Sequence, residues 1–114
     1  MVKHQIHETF KTFDGTSIAE VSKALSDFVD HYGLAPKSLS VLIHNAKVVM
    51  TIGYRSDEAG YHVGIETVNL SEMETGPLDD KLSKAEKSVP GDVICHSLFV
   101  NRDGELEVAF LLHE

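Results

Sequence analysis

Hydrophobic positions along this chain follow two rhythms. Between Ile18 and Tyr32 they recur at helical spacing. Ile18, Val21, Leu25, Phe28, Val29 and Tyr32 lie on one side with Ala24, while Glu20, Lys23, Asp27 and Asp30 lie mostly opposite. That spacing predicts an amphipathic helix of about four turns with one covered face. Both ends carry signals. Ser17-Ile18-Ala19-Glu20 fits a capping box, in which the serine oxygen takes an orphan amide and the glutamate reaches back. Gly33 suits the left-handed residue after the last turn, and Pro36 prevents continuation. A shorter helical pattern follows later, with Leu78, Leu82, Ala85 and Val89 inward and Lys81, Lys84, Glu86 and Lys87 outward. Gly76-Pro77 opens it, Asp79 and Asp80 suit the positive end of its dipole, and Pro90-Gly91 stops it.

Elsewhere the period is two. The clearest case is Asp92–His113, where two apolar runs flank Asn101-Arg102-Asp103-Gly104, a hairpin signal. In the second run Leu106, Val108, Phe110 and Leu112 share a core face, and the other face begins wet and ends apolar. In the first run Val93, Cys95 and Phe99 occupy one face and Ile94, Leu98 and Val100 the other, so both faces are apolar. Such a strand is expected inside a sheet, with its second face against a helix or another subunit. Residues 39–44, 48–54 and 61–68 also alternate, joined by His44-Asn45-Ala46-Lys47 and by the polar loop 55–60. The simplest expectation is an antiparallel meander, with Gly53 marking a bulge or a close approach. Residues 3–13 read as a weak strand ended by Asp14-Gly15, with Ile6 and Phe10 on one face. No internal repeat is visible.

The expected element order is β-α-β-β-β-α-β-β. Short connections between neighbouring strands demand antiparallel pairing. The expected fold class is therefore α+β, a two-layer sandwich with one mostly antiparallel sheet of about five to six strands and two helices. If both helices cover one face, apolar residues on the other form a patch of the kind that mediates association. A homodimer formed through that face is the leading expectation, with another protein as a possible partner.

Composition narrows the partners. A chain of 114 residues is expected to be a single domain, 1–114, large enough for one core. One cysteine excludes an intrachain disulfide and fits a reducing compartment. Met1–Phe10 lacks the apolar core of a secretory signal, and no apolar run reaches membrane-spanning length. A cytoplasmic location is expected. The net charge of −8 repels phosphates and anionic lipid, so neither nucleic acid nor a membrane is an expected partner. Charging all seven histidines takes −8 to −1, which argues for low solubility in mild acid.

No motif specifies a chemistry, so catalytic residues, metal ligands and cofactors are not assigned and an enzyme is not the expectation. Cys95 has His96 beside it, but alternation sends the two side chains to opposite faces, so the plain reading is a structural thiol. The alternative to an interaction domain is a protein or enzyme that binds a small molecule or a divalent metal. Its pocket would lie between sheet and helices, with His44, His62, Glu66 and His96 as polar contacts. That alternative requires the four to converge, and convergence depends on strand order.

Overall fold

The computed structural model describes residues 8–55 and 57–114. Its elements are β1 (Thr9–Gly15), α1 (Ile18–Tyr32), β2 (Pro36–His44), β3 (Lys47–Tyr54), β4 (Val63–Asn69), α2 (Leu78–Ser88), β5 (Asp92–Val100) and β6 (Leu106–His113). The α+β class and the element order are those the sequence predicts. The strands form two antiparallel sheets of three, ordered β1-β3-β2 and β4-β6-β5, where a single sheet was expected.

α1 keeps its predicted caps. The Glu20 amide donates to Ser17 Oγ at 3.1 Å, and Gly33 ends the helix at φ 61°. The reciprocal half of the capping box differs. The Glu20 carboxylate accepts from the Thr16 amide and hydroxyl at 3.0 and 2.9 Å, one residue earlier than the cap. These bonds lower the Glu20 pKa, the backbone bond first.

Four other expectations are corrected. Of the strand expected at 3–13, residues 3–7 lie outside the described residues, and β1 runs later. Asp14 and Gly15 pair with Val49 and Val48 instead of breaking the chain. A Cβ on Gly15 would meet Glu20 and Val21 at 2.9 Å, so its lack of a side chain lets the first turn of α1 pack on the strand. Phe13 packs on the core from β1, while Phe10 points outward. The meander ends at β3, because β1 and β2 occupy both edges of that strand. β4 therefore crosses to the second sheet and pairs with β6. In β5 a register shift between Val93 and Cys95 inverts the predicted faces of two residues. Ile94 joins Cys95 on the α1 side, and Val93 joins the cluster under α2.

The inner edges of the two sheets meet at β2 and β5. Ser97 Oγ accepts from the Val41 amide at 3.1 Å, and Arg102 donates to the Ala46 carbonyl at 2.8 Å. Both pairs are separated by 56 residues, so the two strands run in the same direction. The array then reads β1-β3-β2 beside β5-β6-β4. Each half is one β-α-β-β unit whose third strand lies between the first two, a structural repeat with no repeat in the sequence. Mirrored order with parallel central strands relates the halves by rotation about the strand direction. That rotation turns the sheet over, so the helices fall on opposite faces. β6 shows it directly: Ala109 and Leu111 pack in the α1 cluster, Val108, Phe110 and Leu112 in the α2 cluster. α1 packs against β1, β3 and β4, which include both outer strands, so the array curls around it. The Ser26 hydroxyl fixes the far side by donating to the Val63 carbonyl at 3.0 Å.

Candidate functional site

The strand doubly covered by this chain is β6. β5 is covered on the α1 side but only partly on the other. α2 is short, with Ala85 its one fully buried residue, and its cluster lies over β4 and β6. Among the described residues, the outer face of β2, β3 and β1, and of β5 beyond Val93, has no helix on it.

Cross-strand pairing and the offset of 56 between β2 and β5 arrange this outer face in rows. Thr12, Thr51, Ser40 and His96 form one, and Asp14, Val49, Leu42 and Leu98 the next. Lys47, His44 and Val100 follow. Phe10 lies at the opposite end, across from Gly53. A side chain at Gly53 would collide with Ser38 Oγ and the Glu8 carboxylate and press on the Phe10 ring, the close approach its position predicted. Phe10 is 66% exposed, Leu42 58%, Val100 55% and Leu98 39%, so four large apolar side chains face water on one surface. Thr12 and Thr51 hydroxyls bond across it at 2.9 Å. The chain carries −8 overall, yet the acids described on this face are two, Asp14 with Lys47 at 4.0 Å and Glu8 at the Phe10 end.

The four residues proposed as pocket contacts are dispersed. His44 ends β2 on the outer face, with Asn45 Nδ2 at 3.1 Å. His96 lies on the same face of β5, its ring 6.4 Å from that of Phe110. Glu66 shares the row of His96, but Phe110 stands between them, so they are two strand spacings or about 10 Å apart. Glu66 instead borders a recess of about 380 Å³ with Gly64, Pro90, Gly91, His113 and Glu114. His62 lies before β4 at the end of α1, where Nδ1 meets Asp30 Oδ1 at 2.7 Å. That hydrogen bond, then the Asp30 charge, raises the His62 pKa. No hydrogen bond joins any two of the four, and no group of three metal-ligating side chains occurs among the described residues.

Cys95 packs at the edge of the α1 core, and burial, aided by the Glu8 charge, pushes its thiol up to about 11. At neutral pH it is a protonated, weakly nucleophilic group. Sequence reasoning missed Tyr61 and Arg102. Tyr61 donates to the Pro36 carbonyl at 2.6 Å and stacks on His113, and burial raises its pKa. Arg102 donates to the carbonyls of Thr16 and Ala46, tying the β5–β6 turn to two loops of the other half. Its place in a polar turn carried no sign of those partners.

No helix among the described residues is long and apolar enough to cross a membrane. No family model matches the chain, and no curated protein or solved structure matches it either.

Proposed function

We propose that this chain is an interaction module that self-associates through the outer face of β1, β3, β2 and β5. The observation that carries the reading is the exposure of Leu42, Leu98 and Val100 in adjacent rows, with Phe10 exposed at the far end of the same face. Charge supports it. Two copies of a chain at −8 repel, and contact costs least where acids are fewest. The outer face is such a place around Leu42, Leu98 and Val100: Asp14 has Lys47 at 4.0 Å, and the other acid on the face, Glu8, lies at the far end beside Gly53 and Phe10.

Area sets the strength. Four strands spaced about 4.8 Å apart, each contributing about seven residues at 3.3 Å, give a footprint of roughly 450 Å² per copy. Two copies then bury roughly 900 Å², just below the ~1,000 Å² typical of a stable interface. The dimer is therefore weak and reversible, with a dissociation constant on the order of tens of micromolar.

Sedimentation velocity across a concentration series is the test. The expected result is a monomer–dimer equilibrium that Leu42→Lys shifts to monomer without changing the folded spectrum. A strict monomer at several hundred micromolar, roughly ten times that constant, overturns the reading. So does a dimer indifferent to Leu42→Lys and Val100→Lys together.

A further inference from the structure

We infer that self-association through this face is switched off by mild acid, through His44 and His96. The inference rests on the dimer proposed above and concerns its control. Both imidazoles belong to the outer face. His96 lies in the row beside Leu42 and Leu98, and His44 in the row on the other side, next to Val100. A second copy seated on Leu42, Leu98 and Val100 covers these rings, placing four imidazoles in one small interface.

Their surroundings offer an imidazolium little compensation. His96 is flanked by Phe110 on β6 and Ser40 on β2, neither of them titratable; Glu66 is beyond Phe110, and Glu8, whose charge reaches the neighbouring Cys95, lies beside Ser38 and Gly53. His44 has the Asn45 amide beside it and Lys47 as its cross-strand partner. Val100 flanks it on β5, with Arg102 beyond, donating to the Ala46 carbonyl. Asp14, the acid of the neighbouring row, is 4.0 Å from Lys47, and Asp103 follows Arg102 in the β5–β6 turn. A proton gained by either ring in the dimer is thus a desolvated charge with no acid in hydrogen-bond contact.

The sign follows from linkage. If the dimer favours neutral rings, dimer stability is present above the histidine pKa of the free chain and is lost as pH falls through it. Where one ring per copy loses water, the penalty on its charged form contributes a factor of about 10 per copy over about two pH units of acidification. The dissociation constant then rises about 100-fold, and further if both rings lose water. Overall charge works in the opposite direction. The chain approaches its isoelectric point of about 5.2 on acidification, so general repulsion falls and nonspecific association tightens. The two effects predict opposite outcomes.

Sedimentation velocity of the intact chain at about pH 7.5 and pH 5.5, a span that brackets the imidazole titration, decides between them. The expected result is a dimer at the higher pH that dissociates at the lower. The His44→Gln/His96→Gln double variant is expected to dimerise at both, and His62→Gln to behave as the parent. Equal or tighter association at the lower pH overturns this inference and leaves the dimer standing, and so does acid dissociation that persists in the double variant. A monomer at both pH values removes the dimer and this inference together.

Discussion

Replacing Ala46 by glycine is expected to stabilise the protein, against the usual effect of introducing glycine. The β2–β3 hairpin turns through Asn45 at φ 48° and Ala46 at φ 64°. Two consecutive positive φ values define the tight turn that matches strand twist, and its preferred sequence is Asn-Gly. Asn45 tolerates the left-handed region through its short polar side chain, but Ala46 has no such relief. The penalty for an L-residue there is about 1–2 kcal/mol. Glycine removes it and returns up to ~1 kcal/mol through its wider freedom in the unfolded chain. The net gain is about 0.5–1 kcal/mol. With about 2.1 cal/mol/K of unfolding entropy per residue over 114 residues, the total is about 240 cal/mol/K, so Tm rises by about 2–4 °C. The Ala46 carbonyl keeps its bond from Arg102, since only the side chain changes. Calorimetry at one fixed protein concentration is the assay, because a dimer makes Tm concentration-dependent. Ala46→Val, β-branched at the same φ, is expected to lower Tm. A drop in Tm for Ala46→Gly, or equal values for glycine and valine, refutes the strained turn.

Three other outcomes follow from single contacts. Gly60→Ala is expected to cost about 2 kcal/mol or more in urea denaturation, because the added Cβ meets the backbone of Gly33 and Leu34, which cannot move without disturbing the end of α1. A change below ~0.5 kcal/mol, the range of ordinary surface substitutions, speaks against that packing. Arg102→Ala is expected to cost about 1 kcal/mol, since two carbonyls lose a charged donor but can reach water. An unchanged denaturation midpoint shows that the tie between the halves contributes nothing. Asp30→Asn is expected to lower the raised His62 titration, followed by NMR, toward the ordinary histidine value. A group with a raised folded pKa contributes stability below its unfolded pKa and loses it as pH rises through the folded one. Any destabilisation by Asp30→Asn therefore belongs to pH values below the His62 titration. A loss confined to alkaline pH contradicts the pairing.

How much of this was legible in the sequence depended on how local the signal was. α1 was readable to its caps, because Ser17, Glu20 and Gly33 act on amides and carbonyls within a few residues. The β5–β6 hairpin and the β2–β3 turn were readable for the same reason. The faces of Val93 and Ile94 were not, because a single bulged residue inverts an alternation that the sequence still displays. Which of Phe10 and Phe13 meets the core was not readable from so weak an alternation; pairing with β3 and packing against α1 turn Phe13 inward and leave Phe10 in water. The candidate site was less legible than the fold. His44, His62, Glu66 and His96 had to be read on three separate elements, His62 and Glu66 sharing one, and only the order of those elements could say whether they met.

Alternation and helical spacing determined the elements themselves, the α+β class, and the double apolar character of residues 93–100, since all are properties of neighbours along the chain. Tertiary structure alone decided that β3 is enclosed by β1 and β2, which sends β4 to the other sheet. It also decided that the two halves meet with β2 and β5 parallel, turning the helices to opposite faces. Those choices depend on which edges come together in space, and no residue encodes a partner tens of positions away by its type alone. They are why α2 covers β6 and leaves Leu42, Leu98 and Val100 facing water.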